Sequence, residues 1–410
     1  MQLLVSFFFL MLFMPMVFQG PRAILLFVIL LVSFRTNIKV YLYKEARIYW
    51  LLTYFVAIYA FVIGVFRNNV GLLPCTPFYL IWPLIFLYFI IRYNTTNRIS
   101  VLLRTIIYGG MIVAFFNFIL IINAFMLHIG FLSELGDVLL CKFNIVEGFA
   151  EYFSPSANHL AYVIYFCVSL LLLKPQVLKV KNKHLYLCIA ISVIDILLSN
   201  RRALWLVIVM LPFILVTMLS FLPYHKKIIV KVGSITVFAG IFVLGVMYYF
   251  LDFEYIIHEF GTSFDFSGED ESNLERTLQG RSLWDDFLAR PIFGGGLGLV
   301  SGYIRTPEGP WAYELTYNYT LAMVGIVGFF IYTIATSWIY FRSIKLSKLK
   351  IEYASLLIPQ IMGLVAVLII SASNPYIVTF DFVWAIYLPV ATINAICYEQ
   401  RKAKASLCVS

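Results

Sequence analysis

Long, uninterrupted runs of apolar residues constrain this chain more than any other feature. A helix crosses the hydrocarbon core of a bilayer with about 20 mostly apolar residues. Such runs recur near Leu3–Gln19, Ala23–Phe34, Ile48–Phe66, Leu73–Ile91, Val101–Met126, Leu160–Leu173, Leu185–Leu198, Ala203–Leu222, Ile228–Leu251, Trp311–Phe341, Tyr353–Ser371 and Ile377–Cys397. In lipid every backbone N–H and C=O must find a partner within the protein, which leaves helices as the natural form for runs of this length. The expectation is an all-α integral membrane protein of about 12 transmembrane helices, one polytopic domain over residues 1–410. The 410 residues are 62% hydrophobic and 12% charged, against about 45–50% and about 25% for soluble domains. That balance excludes a soluble enzyme, a disordered chain and a disulfide scaffold. The six cysteines are scattered without a CxxC pair, and the five histidines without an HExxH, so the sequence offers no metal site. The first run lacks the basic flank and small-residue cleavage site of a signal peptide.

The net charge is +9, from 30 Lys+Arg and 21 Asp+Glu. In a soluble protein this would suggest nucleic acid; here the positive-inside rule comes first. Basic clusters at residues 35–47, 92–104, 174–183, 226–231, 342–350 and 401–404 follow every second run. They predict that these connections, and both termini, are cytoplasmic. The remaining nine basic residues fall on the other side: Arg22, Arg67, Lys142, Arg201, Arg202, Arg276, Arg281, Arg290 and Arg305. Lys142 alone is a lysine. Topology asks only for positive charge, whereas arginine offers a planar fork that grips phosphate or carboxylate oxygens in pairs.

Two outer loops are long, residues 127–159 and 252–310. The second opens acidic, from Asp252 to Glu275, and is expected to hold short helices. Ser272-Asn273-Leu274-Glu275 has capping-box form and predicts a helix start. Leu274, Leu278, Trp284, Phe287 and Leu288 give that helix an apolar side, and Pro291 ends it. Arg276, Arg281 and Arg290 lie on it, with Arg281 four residues from Asp285 and able to pair with it. Directly after comes Gly294-Gly295-Gly296-Leu297-Gly298, whose amides can approach an anion closely, or which serves as a plain flexible turn. Glu314 opens the next span, beside Tyr317 and Asn318. Gly325-Ile326-Val327-Gly328 suggests a close helix contact. Ser199-Asn200-Arg201-Arg202 is a tight turn with two arginines; Asp195, seven residues before Arg202, lies on its face and can neutralise it. Intramembrane acids are functional candidates by default. Asp195, Glu314 and Asp381 all fall toward the outer ends of their spans, at the level of Asn158 and His159.

Gly280-Arg281-x-x-Trp284, Arg290-Pro291-Ile292-Phe293-Gly294-x-Gly296-x-Gly298, Glu314 and Gly325-x-x-Gly328 together resemble the core of the bacterial O-antigen and capsule repeat-unit polymerases, a family related to the O-antigen ligases. Ser199-Asn200-Arg201 resembles the family's upstream arginine turn, and Ser154–Ala161 an element before a middle span. The motif-bearing resemblance covers roughly residues 150–330. Ligases carry a histidine near the position of Glu314, and this chain has none after Glu259, which favours a polymerase.

The resemblance implies a membrane-embedded, GT-C-like and metal-independent glycosyltransferase without cofactor, in the bacterial inner membrane. Its substrates would be undecaprenyl-pyrophosphate-linked oligosaccharides on the outer face. A flippase and a chain-length regulator would be its partners, with membrane lipid around it and no nucleic acid. Arg201, Arg281 and Glu314 would be catalytic, the arginines stabilising the charge that gathers on the departing pyrophosphate and Glu314 accepting the acceptor's proton. Arg202, Arg276, Arg290, Gly294, Gly296, Gly298, Asn158, His159, Tyr317 and Asn318 would bind pyrophosphate or sugar. Two other classes are open: a flippase for the same lipid-linked units, which fits the span count, and a glycosyltransferase polymerising peptidoglycan precursors, which shares the outer loop and lipid pyrophosphate but usually has fewer spans. A transporter should carry charge near the midplane and show paired halves, and neither is visible in the sequence.

Overall fold

The computed structural model describes residues 2–34, 41–92, 95–146, 149–199, 201–223 and 271–407. The expected span Ile228–Leu251, the acidic opening of the large loop, Asn200 and the side chain of Arg202 lie outside the described residues. In chain order the helices are α1 (Gln2–Phe13), α2 (Gln19–Phe34), α3 (Lys44–Phe66), α4 (Leu72–Thr76), α5 (Trp82–Arg92), α6 (Thr96–Ile122), α7 (Gly130–Val138), α8 (Ala157–Leu172), α9 (Asn182–Leu198), α10 (Arg202–Ser220), α11 (Glu271–Ala289), α12 (Thr316–Ser347), α13 (Ile351–Ile370) and α14 (Trp384–Leu407). A π-turn at Pro77–Ile81 joins α4 to α5.

Among the described residues six helices are long and apolar enough to cross a membrane: Lys44–Phe66, Leu72–Arg92, Thr96–Leu127, Ala203–Ser220, Thr316–Ser347 and Ile351–Ile370. Three more apolar helices are shorter, among them Ala157–Leu172. At 1.5 Å per residue its 16 residues reach about 24 Å, below the roughly 30 Å of hydrocarbon.

The described chain divides into two compact units interleaved in sequence. One takes residues 1–40, 94–253 and 343–366; the other takes 41–93, 254–342 and 367–410.

In the first unit α8 is the centre, packed against α6, α9 and α10. Every one of its residues is buried, as a helix apolar on all sides requires. Glycines allow the close approach. A Cβ on Gly110 would stand 2.6 Å from Val163, and one on Gly363 2.5 Å from the Tyr162 ring. Part of the 127–159 connection forms an antiparallel hairpin, β1 (Lys142–Val146) with β2 (Phe149–Phe153), in which Phe143 faces Tyr152. This is the one departure from an all-helical fold among the described residues.

In the second unit α3, α5 and α14 pack together, and a buried cluster of Val56, Ala60, Leu283, Leu297, Tyr319 and Met323 joins α3, α11, the glycine loop and α12. The helix α12 is broken at Gly325, whose φ of 63° leaves the helical region. The break frees three carbonyls and the amides that would have met them. The Gly295 and Gly296 amides donate to Ala322 O and Met323 O, each at 2.8 Å. The Ile326 and Val327 amides donate to Pro291 O and Ile292 O at 2.8 and 3.2 Å. The Tyr59 hydroxyl donates to Val324 O at 2.6 Å. Buried backbone groups demand such partners, and here the loop after α11 supplies them.

Candidate functional site

The helix α11 turns one face inward, with Gln279 and Leu283 fully buried. It is already helical at Glu271, so the cap expected at Ser272 is not its start; the end at Ala289, ahead of Pro291, is as read from the sequence. Leu274, Leu278, Trp284 and Leu288 are exposed rather than buried.

Glu314 meets this inward face just before α12. Its Oε2 accepts from Arg276 Nε at 3.2 Å, and its Oε1 accepts from an Arg305 guanidinium nitrogen. Arg305 also binds Glu275 through Nε at 2.9 Å. The Glu314 amide donates to Gln279 Oε1 at 3.1 Å, while the buried Gln279 Nε2 has no hydrogen-bond partner among the described residues. The loop that carries Arg305 is pinned to α11 and to Tyr313. The hydroxyls of Ser282 and Ser301 are bonded at 2.5 Å, Ser282 Oγ accepts from the Tyr303 amide at 3.0 Å, and the Tyr313 hydroxyl accepts from the Ser301 amide at 2.5 Å. Burial draws down the Arg305 guanidinium, but its contacts with Glu314 and Glu275 outweigh that and raise its pKa above the ordinary arginine value.

The structure thus joins two of the expected residues, Glu314 and Arg276, and adds Arg305, Glu275 and Gln279. Arg281 is exposed and forms no ion pair with Glu314, with Asp285 or with any other described carboxylate. Arg290 is exposed at the end of α11. Asn318 is exposed, and the Tyr317 hydroxyl donates to Leu368 O at 2.5 Å.

The glycine loop does not present its amides to an anion. Gly294 to Gly298 are buried, and the amides of Gly294, Gly295, Gly296 and Leu297 donate to Arg290 O, Ala322 O, Met323 O and Ala60 O. Gly298 contributes its carbonyl to the Gly71 amide at 3.1 Å. A Cβ on Gly296 would lie 2.5 Å from the Gly64 nitrogen. The glycines are there because the loop lies flat against the end of α3 and the break in α12.

Thr316, directly after this cluster, begins the wall of a cavity of about 370 Å³ that runs beside α12 as far as Ser337. Aromatic residues from α3, α5 and α14, including Tyr49, Trp82 and Tyr387, form much of the rest, and no lining residue is charged. The hydroxyls of Thr320, Thr333 and Thr336 donate to carbonyls four residues earlier. The wall is therefore mostly aromatic and aliphatic.

In the first unit Arg201 Nη1 donates to Asn158 Oδ1 at 2.6 Å, and its guanidinium lies 4.1 Å above the Phe153 ring. His159 is buried at the start of α8. Asp195 is fully buried, and its Oδ2 accepts from Asn117 Nδ2 at 2.8 Å. Asn117 Oδ1 in turn accepts from Tyr152 and from two serines, Ser154 and Ser156. The partner of Asp195 among the described residues is thus Asn117.

No protein-family model matches the chain, and a search of curated proteins finds none that matches it. The family resemblance therefore rests on the motif residues themselves.

Proposed function

We propose that the protein is a glycosyltransferase that polymerises lipid-pyrophosphate-linked oligosaccharide repeat units on the outer face of the bacterial cytoplasmic membrane. In this reading the chain crosses about twelve times with both termini inside, and Glu314 with its arginines faces outward. The observation that carries it is the carboxylate of Glu314, bracketed by Arg276 and Arg305 and two residues ahead of Thr316, which lines an uncharged cavity. A lipid-linked sugar has these parts in this order: an apolar chain, a doubly charged pyrophosphate and a polar glycan.

The reaction balances as a single displacement. A hydroxyl oxygen of the incoming unit attacks the anomeric carbon of the growing chain. The bond from that carbon to the pyrophosphate oxygen breaks, and the electron pair leaves with the lipid pyrophosphate. The proton of the hydroxyl goes to Glu314, and the anomeric configuration inverts. Both Glu314 oxygens are engaged by guanidiniums. An incoming pyrophosphate offers those guanidiniums richer bidentate partners, so its arrival would release Glu314 to act as the base. The same guanidiniums then face the oxygens on which charge accumulates. Arg201, held by Asn158 over Phe153 in the first unit, is assigned phosphate binding within that unit.

A flippase is the second reading. Transporters leave the backbone of broken helices open for ions and substrate. Here the groups freed around Gly325 are taken by the glycine loop and Tyr59, which speaks against that use. The deciding experiment is a deletion strain. Loss of a polymerase leaves acceptors carrying a single repeat unit. If no repeat unit appears at all, the polymerase reading fails and the flippase reading stands.

A further inference from the structure

A polymerase of lipid-linked units handles two lipid substrates at once, and the Glu314 cluster with its cavity provides for one of them. Elsewhere in the same unit two other arginines stand together. Arg67 closes α3, its amide donating to Ile63 O. Arg290 closes α11, its carbonyl accepting from the Gly294 amide. The two ends are strapped to each other. Asn69 Nδ2 donates to Gly295 O at 3.1 Å and Leu297 O at 3.0 Å, and Leu297 N donates to Ala60 O at 2.7 Å. The backbone segments that carry the two arginines therefore stay together as long as the loop holds.

Both side chains are exposed, and no carboxylate among the described residues pairs with either. Asp286, one turn before Arg290, makes no ion pair with it. With no described carboxylate on either, the two guanidiniums repel one another. Slight desolvation at the end of α3 and then the charge of Arg290 draw the pKa of Arg67 down. The neighbouring side chains are large, apolar and exposed: Phe66 at 82%, Ile292 at 56% and Phe293 at 54%. A paired positive charge above bare hydrocarbon side chains is complementary to a phosphate carrying a lipid chain.

We propose that Arg67 and Arg290 hold the phosphate of the second lipid-linked substrate, with its hydrocarbon chain along Phe66, Ile292 and Phe293. The assignment rests on the glycosyl-transfer reading for the identity of the lipid. It adds Arg67, which no motif includes, to the groups that bind substrate.

The test is a titration of the purified, detergent-solubilised protein with farnesyl diphosphate, read by calorimetry. The wild type should take up two molecules per chain. Arg67→Gln should weaken one of the two by about tenfold or more, the effect of losing one charge-assisted partner, and Arg276→Gln should weaken the other. Arg47→Gln, which removes the same charge from the opposite end of α3, should leave both unchanged. A single site in the wild type, or an unaltered titration in both Arg67→Gln and Arg290→Gln, overturns the proposal. So does equal competition by phosphatidylglycerol vesicles, because the arginines would then be a general headgroup contact. Binding needs no turnover, so the two readings fail separately. Arg67-dependent binding in a protein that forms no polymer removes the polymerase reading. Polymer formation with binding indifferent to Arg67 and Arg290 removes this site.

Discussion

The hydroxyl of Tyr59 donates to the Val324 carbonyl at 2.6 Å, filling the place that the break at Gly325 leaves open in α12. One side chain from α3 thus completes the backbone of another helix. Tyr59→Phe keeps the ring and its edge contact with Phe293 but strands that carbonyl. An unsatisfied buried acceptor costs about 1–3 kcal/mol, so the thermal midpoint in detergent should fall. An unchanged midpoint would mean that the glycine loop alone holds the break.

Gly294 and Gly325 should tolerate alanine poorly. Their φ values are 75° and 63°, and a Cβ on either would enter the backbone of the other's segment, at Met323 and Ile292. Strain of this kind costs about 1–3 kcal/mol before any clash is counted. Gly280→Ala is the control, since its Cβ would meet Leu315 at an ordinary 3.4 Å. The yield of monodisperse protein after size-exclusion chromatography should separate them, and equal yields would contradict the clasp between loop and helix.

Glu314→Gln should fold and still bind lipid pyrophosphate, while chain growth slows by about 10²–10⁴-fold, the range for losing a general base. Glu275→Gln removes only one of the two carboxylates on Arg305 and should slow growth less. Wild-type ladders from Glu314→Gln on a polysaccharide gel would remove it from the mechanism.

Arginine-to-lysine changes keep charge and lose the fork. Arg276→Lys and Arg305→Lys should impair polymerisation more than Arg281→Lys, because the first two contact Glu314 and Arg281 stands exposed outside the cluster. The reverse order would restore Arg281 to the catalytic place that its motif suggests.

Arg281→Cys in a Cys408→Ser background should react in intact spheroplasts with a membrane-impermeant maleimide. The five cysteines at 75, 141, 167, 188 and 397 are buried thiols and should stay silent. Labelling only after lysis would place α11 on the cytoplasmic side and overturn the outward-facing site.

Much of the architecture is written locally and was readable for that reason. Apolar runs of membrane length specify α3, α6, α12 and α13 through hydropathy alone. Pro291 ends α11 because proline cannot continue a helix. Gly325-x-x-Gly328 marks a close contact, though the contact proves to be a break. The site was less readable because its geometry is tertiary. Arg305 stands nine residues from Glu314 on a loop without regular structure, and only the pins from Ser282 and Tyr313 bring it there. Its one advance sign was membership of the arginine-rich outer set. Gln279 gave none, since a neutral amide on a helix carries no motif. The glycine run reads as amides free to approach an anion or as a flexible turn, and it is neither. The backbone it approaches is the protein's own, because a buried loop must satisfy its amides before it can serve any ligand. The hairpin leaves no clear mark in the sequence, because residues 142–153 are too short and too mixed for a strand alternation.

The helix α8 has a consequence for how the molecule is made. Each of its 16 residues is buried by neighbours, so it has no face for lipid. A short segment of this kind gains little from sitting alone in a bilayer, and its buried Asn158 and His159 make that more costly. It becomes stable when α6, α9 and α10 surround it, and two of those three are synthesised after it. Biogenesis must therefore keep α8 sheltered, in the insertion machinery or at the membrane surface, until later parts of the chain arrive. Truncated chains ending before α9 should be degraded rather than inserted.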